Sequence, residues 1–299
     1  MKLNICTWNL LNPEPSMSLM SWKGWIKSKY KINPYTIASV DYHRFIQFRS
    51  HTIINILRWM INNSPHPLII CLQEVHPLLL DNLKNIIQPN QIAIGQETPT
   101  NYLVTLISHG HINEYKQINL DKKIALITKI QFPKLNKNIS CANIHFYWKW
   151  SEYQVKTFGQ ELVSNLETPF IIAGDFNKPI DMLGEFMGLF DCVLYNNMPD
   201  QTFTSILTHK PVSESNPELG QIDHIMFSSE FSTGNSTKYK ILSKLLGYKI
   251  FYQFNKIIKL FESKQITNQS DWTRLNPNSG ISDHKPVFVK NILLNLDNK

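Results

Sequence analysis

The run Leu68-Ile69-Ile70-Cys71-Leu72 is apolar throughout and is followed at once by Gln73-Glu74. A strand alternates its side chains between two faces, so an unbroken apolar run is stable only where both faces are covered. That requirement demands material stacked on each side of the sheet and excludes a lone, half-exposed one. Pro65 and Pro67 stop the preceding segment, in which Phe45, Phe48, Ile53, Ile54, Leu57, Met60 and Ile61 recur at helical spacing over 41–62. Further strands are expected at 3–10, 102–107, 123–128, 139–144, 170–173, 222–227 and 286–289, with a helix over 152–166. Strands that often follow one another directly, mixed with helices, favour a layered α/β sandwich over a doubly wound parallel sheet.

No internal repeat or low-complexity linker divides the 299 residues, so a single domain over 1–299 is expected, with basic insertions at about 13–50 and 230–280. An apolar fraction of 42% with 18% charged residues excludes a wholly disordered chain. No apolar run approaches a membrane span, and Met1-Lys2-Leu3-Asn4-Ile5-Cys6-Thr7-Trp8 reads as a strand without a cleavage site behind it. A soluble, intracellular protein is expected, with no stable membrane insertion; the sequence is silent on non-classical secretion and oligomeric state. Cys6, Cys71, Cys141 and Cys192 form no Cys-x-x-Cys pair, which disfavours a zinc site or disulfide framework and points to buried thiols.

The net charge of +7 is concentrated. Residues 20–50 carry six basic groups against Asp41, and residues 230–280 carry eight against Glu230, Glu262 and Asp271, so each segment is +5 and the remainder is acidic. An anionic partner accounts for this, although A/T-biased coding alone would also enrich Lys. Trp22, Trp25, Tyr30 and Tyr35 are interleaved with Lys between the first strand and the first helix, a composition suited equally to single-stranded nucleic acid and to a lid over the core. Tyr147-Trp148-Lys149-Trp150 follows His145 and must lie near any site that uses it.

Polar residues sit at the ends of the expected strands: Asn9, Glu74, His145, Asp175 with Asn177, Asp223 with His224, and Asp283-His284 before the last strand. Singly, each has an ordinary reading: Asn9 a turn, Glu74 a cap for a helix after Pro77, Asp175 and Asn177 an Asx turn, Ser282-Asp283 a loop. The same event at six strand ends is not coincidence, because strand ends at one rim of a sheet are where side chains converge on a ligand. Carboxylates and carboxamides are hard oxygen ligands suited to Mg²⁺ or Mn²⁺, and histidines handle protons near neutrality. With no Gly-x-Ser-x-Gly elbow and no Gly-Lys-Ser/Thr loop, the set fits metal-assisted attack of water on a phosphate ester.

Thr7-Trp8-Asn9, Leu72-Gln73-Glu74-Val75, Asn143-Ile144-His145, Gly174-Asp175-Phe176-Asn177, Ile222-Asp223-His224-Ile225 and Ser282-Asp283-His284-Lys285-Pro286-Val287, in that order, resemble the endonuclease/exonuclease/phosphatase superfamily, which includes the DNase I-like nucleases. The resemblance runs from residue 7 to 287. It implies a four-layered α/β/β/α sandwich with the site at one rim. Glu74 would be the principal metal ligand, helped by Asn9 and Asp283. Asp175 would orient or deprotonate the attacking water, Asn177 would hydrogen-bond the phosphate, and His284, oriented by Asp223, would stabilise its charge. His145 would serve the phosphate or the leaving oxygen. The first two motifs are similar to deadenylase-type and tyrosyl-DNA-phosphodiesterase-type members, which implies a nuclease or phosphodiesterase acting on nucleic acid, single-stranded favoured. The last motif is similar to inositol polyphosphate 5-phosphatases, but Gln221-Ile222-Asp223-His224 departs from that group's Trp-Cys-Asp-Arg, and Asn177 is not followed by Arg. A binding module that kept the fold and lost the chemistry would show gaps in the set, and none is present.

Overall fold

The computed structural model describes residues 1–10, 39–120, 123–133, 135–190, 192–195, 222–233 and 287–294. They form strands β1 (Lys2–Asn9), β2 (Leu68–Val75), β3 (Ile92–Thr98), β4 (Asn101–Ile107), β5 (His111–Leu120), β6 (Lys123–Gln131), β7 (Ile139–His145), β8 (Phe170–Asp175), β9 (Cys192–Tyr195), β10 (Asp223–Ser228), β11 (Phe231–Thr233) and β12 (Val287–Leu294). The helices are α1 (Ser39–Asn62), α2 (Pro77–Lys84), α3 (Glu152–Val163) and α4 (Gly184–Gly188).

Two six-stranded sheets result, ordered β11-β12-β1-β2-β4-β3 and β5-β6-β7-β8-β10-β9. At the centre of each lies one parallel pair, β1 with β2 and β7 with β8, and every other pairing is antiparallel. A parallel pair needs a crossover, supplied by α1 in the first sheet and α3 in the second. Its two strands also end on the same rim, and this places the site.

Leu68-Ile69-Ile70-Cys71-Leu72 is divided by strand alternation between two cores. Leu68, Ile70 and Leu72 pack outward with Trp8, with Ile53, Leu57 and Met60 of α1 and with Leu79 and Leu83 of α2. Ile69 and Cys71 face the second sheet, meeting a core that includes Ile139, Cys141, Ile171, Ala173 and Ile225. A third core joins Ala142, Ile144, Ile172 and Met226 to Val155, Phe158 and Leu162 of α3 and Phe186 of α4. Three apolar seams separate four layers, so the chain is an α/β/β/α sandwich.

Several boundaries differ from expectation. β3, β5, β9 and the short β11 are not anticipated; β5, at an edge, is largely exposed. The expected last strand continues to Leu294. The expected helix over 152–166 ends at Val163, and its start is fixed by a capping box in which Ser151 and Gln154 bond reciprocally. α1 begins at Ser39, so residues 39–50 of the expected insertion are helical. His76, not Glu74, caps α2, its side chain accepting from the Leu78 amide. Cys6, Cys71 and Cys141 are free and buried, as expected. Burial pushes the Cys6 thiol well above its ordinary value. Among the described residues no helix is long and apolar enough to cross a membrane.

Candidate active site

Asn9 closes β1, Glu74 stands one residue before the end of β2, and His145 and Asp175 close β7 and β8. On each of these strands the face toward the other sheet is apolar in the interior and turns polar at the rim: Ile5, Thr7, Asn9; Ile69, Cys71, Gln73; Cys141, Asn143, His145; Ile171, Ala173, Asp175. The side-chain Nδ2 of Asn9 bridges the sheets, donating to Glu74 Oε1 at 3.0 Å and to Asp175 Oδ2 at 2.8 Å. His145 Nε2 lies 3.6 Å from Glu74 Oε1 and 3.9 Å from Asp175 Oδ2. Four of the expected residues therefore meet.

Glu74 reaches this rim through a bulge. The β2–β4 register slips by one residue between Leu72 and Val75, and Glu74 takes φ 54°. Strict alternation would leave Glu74 on the helix-facing side with Leu72; the extra residue re-aims it. A left-handed Glu costs about 1–3 kcal/mol, a strain that clusters at functional positions. Asn177 is also left-handed, at φ 49°, a conformation Asn tolerates better.

Asp175 and Asn177 do form an Asx turn, the Asn177 amide donating to Asp175 Oδ1 at 2.8 Å, while Asn177 Nδ2 donates to the Phe146 carbonyl at 2.9 Å. The turn holds Asp175 with Oδ2 directed at Asn9. Gly174 is required here because a Cβ would sit 1.9 Å from the Ile144 carbonyl oxygen on the neighbouring strand. Asp223 is fully buried and stands opposite Asp175 in the β8–β10 register. Asp283 and His284 lie outside the described residues, as do both strongly basic segments apart from residues 39–50 and 230–233.

Beneath the rim, Gln73 Nε2 donates to Thr7 Oγ1 at 3.0 Å and to Asn143 Oδ1 at 2.7 Å. Asn143 Nδ2 donates to the carbonyls of Leu72 and Val104 at 3.1 and 3.0 Å. All three side chains are buried, so this network fixes how the sheets align below the site.

Glu97 and Lys123 complete the site and were not anticipated. Glu97 Oε2 lies 3.3 Å from His145 Nδ1 and Glu97 Oε1 lies 2.7 Å from Lys123 Nζ, which is itself 3.0 Å from His145 Nδ1. Burial alone would raise the Glu97 pKa, but the charges and hydrogen bonds of His145 and Lys123 prevail and hold it at about 2. Burial and Lys123 oppose a proton on His145; Glu97, by charge and hydrogen bond, and Glu74 outweigh them and raise its pKa. Only 2% of the Glu97 side chain is exposed, a burial that the sequence does not signal because no strand is expected over 92–98. His224 stands on the opposite face of β10, its ring T-shaped against Phe176 at 5.3 Å, and Nε2–H donates to the Lys178 carbonyl at 2.9 Å.

The donors gathered here are the carboxylates of Glu74 and Asp175 and the carboxamide of Asn9, with no thiolate, a set that fits a hard divalent cation. Among the described residues no three His, Cys, Asp or Glu side chains form a ready metal cage. Mg²⁺ needs none, since one or two carboxylates plus water commonly hold it.

Residues 6–284 match the model of the Endonuclease/Exonuclease/phosphatase family. Similar solved structures include an endonuclease/exonuclease/phosphatase from Bacteroides vulgatus, at TM-score 0.58 and 14% identity over 98% of this chain and 99% of that one. A humanized D. rerio TDP2 with 14 mutations aligns at TM-score 0.50 and 14% identity, covering 76% of this chain and 84% of its own. A mannosyl-6-phosphatase from Bacteroides thetaiotaomicron aligns at TM-score 0.50 and 16% identity, covering 77% and 86%. Identities this low show a shared fold. No curated protein matches the chain.

Proposed function

The chain belongs to the endonuclease/exonuclease/phosphatase family, whose hydrolases generally cleave phosphoric esters, and from that premise we propose that it is a Mg²⁺- or Mn²⁺-dependent phosphodiesterase acting on nucleic acid. The observation that carries the reading is the Asn9 amide shared by Glu74 and Asp175 with His145 Nε2 within 4 Å of both carboxylates. Two carboxylates from different sheets held this close suit a site that neutralises phosphate charge and activates water, and they are a poor choice for mere stability.

Glu74 and Asn9, with Asp283 from the sequence pattern, would hold the cation, which supplies charge neutralisation at the phosphoryl oxygens when bound. Asp175, fixed by Asn9 and by the Asn177 amide, orients the attacking water and accepts its proton. Asn177 hydrogen-bonds the phosphate as charge develops. His145, its pKa raised by Glu97 and Glu74, faces the phosphate or the leaving oxygen, and His284, oriented by Asp223, stabilises the phosphate's negative charge.

The test is Mg²⁺-dependent hydrolysis across single- and double-stranded DNA, single-stranded RNA and inositol phosphates. EDTA should abolish turnover, and Glu74→Gln should remove it while leaving the fold intact. Without substrate, Mg²⁺ should raise the melting temperature of wild type but not of Glu74→Gln. Faster turnover of an inositol phosphate than of any polynucleotide would overturn the substrate class, and retained turnover by Glu74→Gln at saturating Mg²⁺ would overturn the metal-ligand role.

A further inference from the structure

The segment leaving the site from His145 holds one indole in solvent. Phe146 is buried against Phe158, Phe176 and Phe186, with ring centroids 5.2, 5.0 and 5.5 Å apart. Trp150 is buried at the far end, 5.5 Å from Phe146 and 5.4 Å from Phe158, and its backbone N–H donates to the Tyr147 carbonyl at 2.9 Å, closing a turn. Three more bonds tie this segment to the catalytic loop: Phe146 N–H to the Asp175 carbonyl at 2.8 Å, Asn177 Nδ2 to the Phe146 carbonyl at 2.9 Å, and Lys178 Nζ to the Trp148 carbonyl at 3.0 Å. Between these fixed ends Trp148 is 62% exposed, with Lys149 Nζ 4.7 Å from its ring centroid.

A single exposed apolar side chain needs no explanation. Trp148 differs because its backbone is fastened to Lys178, three residues past the Asp175 carboxylate, and because its ring is presented together with a cation. A flat ring on a backbone already ordered can stack a partner with little further loss of freedom. A cation held over one face of the ring matches a partner that carries a negative charge next to an aromatic plane. A polynucleotide repeats that pairing at every residue.

We infer that Trp148 and Lys149 form a stacking site for a nucleobase flanking the scissile phosphate of a single-stranded nucleic acid, the indole taking the base and the ammonium the adjoining phosphate. This rests on the reading of the chain as a nucleic-acid phosphodiesterase and names the strand form it would accept, because a paired base offers no free face to the ring.

The experiment measures binding without turnover, by fluorescence anisotropy of a labelled short oligothymidylate in EDTA, for wild type, Trp148→Ala, Trp148→Phe and Lys149→Gln. Trp148→Ala should weaken binding at least about fivefold, and Trp148→Phe should restore most of it. An oligomer with abasic sites in place of the bases should bind wild type correspondingly more weakly and erase the difference between wild type and Trp148→Ala. Lys149→Gln should flatten the logarithmic salt dependence by about 0.7, one phosphate contact. Equal affinity of wild type and Trp148→Ala for the oligothymidylate would overturn the inference, as would an equal loss on the abasic oligomer. Displacement of the oligomer by a hexose phosphate only when Trp148 is present would assign the ring to a sugar and overturn it likewise. Trp148-dependent binding without any Mg²⁺-dependent hydrolysis would sustain this inference and reject the phosphodiesterase reading alone.

Discussion

Gln73 of the first sheet and Asn143 of the second meet in the interior at 2.7 Å, Gln73 Nε2 donating to Asn143 Oδ1. The pair lies at the point where the inter-sheet faces change from apolar to polar, so it sets the relative height of the strands that carry Asn9, Glu74, His145 and Asp175. A displacement of one sheet would break the Asn9 bridge before it disturbed either hydrogen-bonded ladder.

Gln73→Leu and Asn143→Leu should therefore each destabilise by about 1–3 kcal/mol, because the first removes the donor to the buried Asn143 Oδ1 and the second the donor to the buried Leu72 and Val104 carbonyls. The double variant should lose less than the sum, with a coupling of about 0.5–3 kcal/mol in urea unfolding. Strict additivity would show that the bond does not fix the sheets to one another.

At Glu74 the strain can be separated from the charge. Both Glu74→Ala and Glu74→Gly remove the carboxylate, yet only glycine adopts φ 54° without penalty. Glu74→Gly should be more stable than Glu74→Ala by about 1 kcal/mol, and both should be inactive. Equal melting temperatures would remove the argument that the bulge stores strain.

Glu97 and Lys123 act on His145 in opposite senses, the first raising and the second lowering its pKa. Glu97→Gln should move the His145 titration, followed by NMR, to lower pH, and Lys123→Met should move it to higher pH. The pH profile of turnover should move in the same directions. Shifts of the same sign in both variants would refute this account.

Burial presses His224 down to about 4, although its bond to the Lys178 carbonyl pulls the other way. The unfolded chain then binds a proton near pH 6.5 that the folded chain refuses until about 4. Stability from this group is present above pH 6.5 and is lost as pH falls toward 4, by about 3 kcal/mol in all. His224→Gln should flatten chemical-unfolding stability across that window. Glu97 titrates lower and loses its contribution only as pH falls from about 4.5 toward 2, so the two windows are distinguishable.

The sequence by itself determined the layers and much of the rim. Leu68-Ile69-Ile70-Cys71-Leu72 could be satisfied only by cover on both faces, and Asn9, Glu74, His145 and Asp175 were visible as polar residues where apolar strands end. Those signals are local: each is a property of one strand and its alternation. Glu97 and Lys123 left no such mark, because β3 leads to a sheet edge where its outer positions meet water and the carboxyl resembles an ordinary surface group. Its burial exists only because the second sheet lies over it. The same holds for Trp148 and Trp150, indistinguishable by composition. The packing of Phe146 and Phe158 buries one, and the hydrogen bonds to the Asp175 and Lys178 loop leave the other in solvent. Which strand lies opposite which depends on pairing between residues far apart in the chain, and no single segment carries that information; tertiary structure decided it.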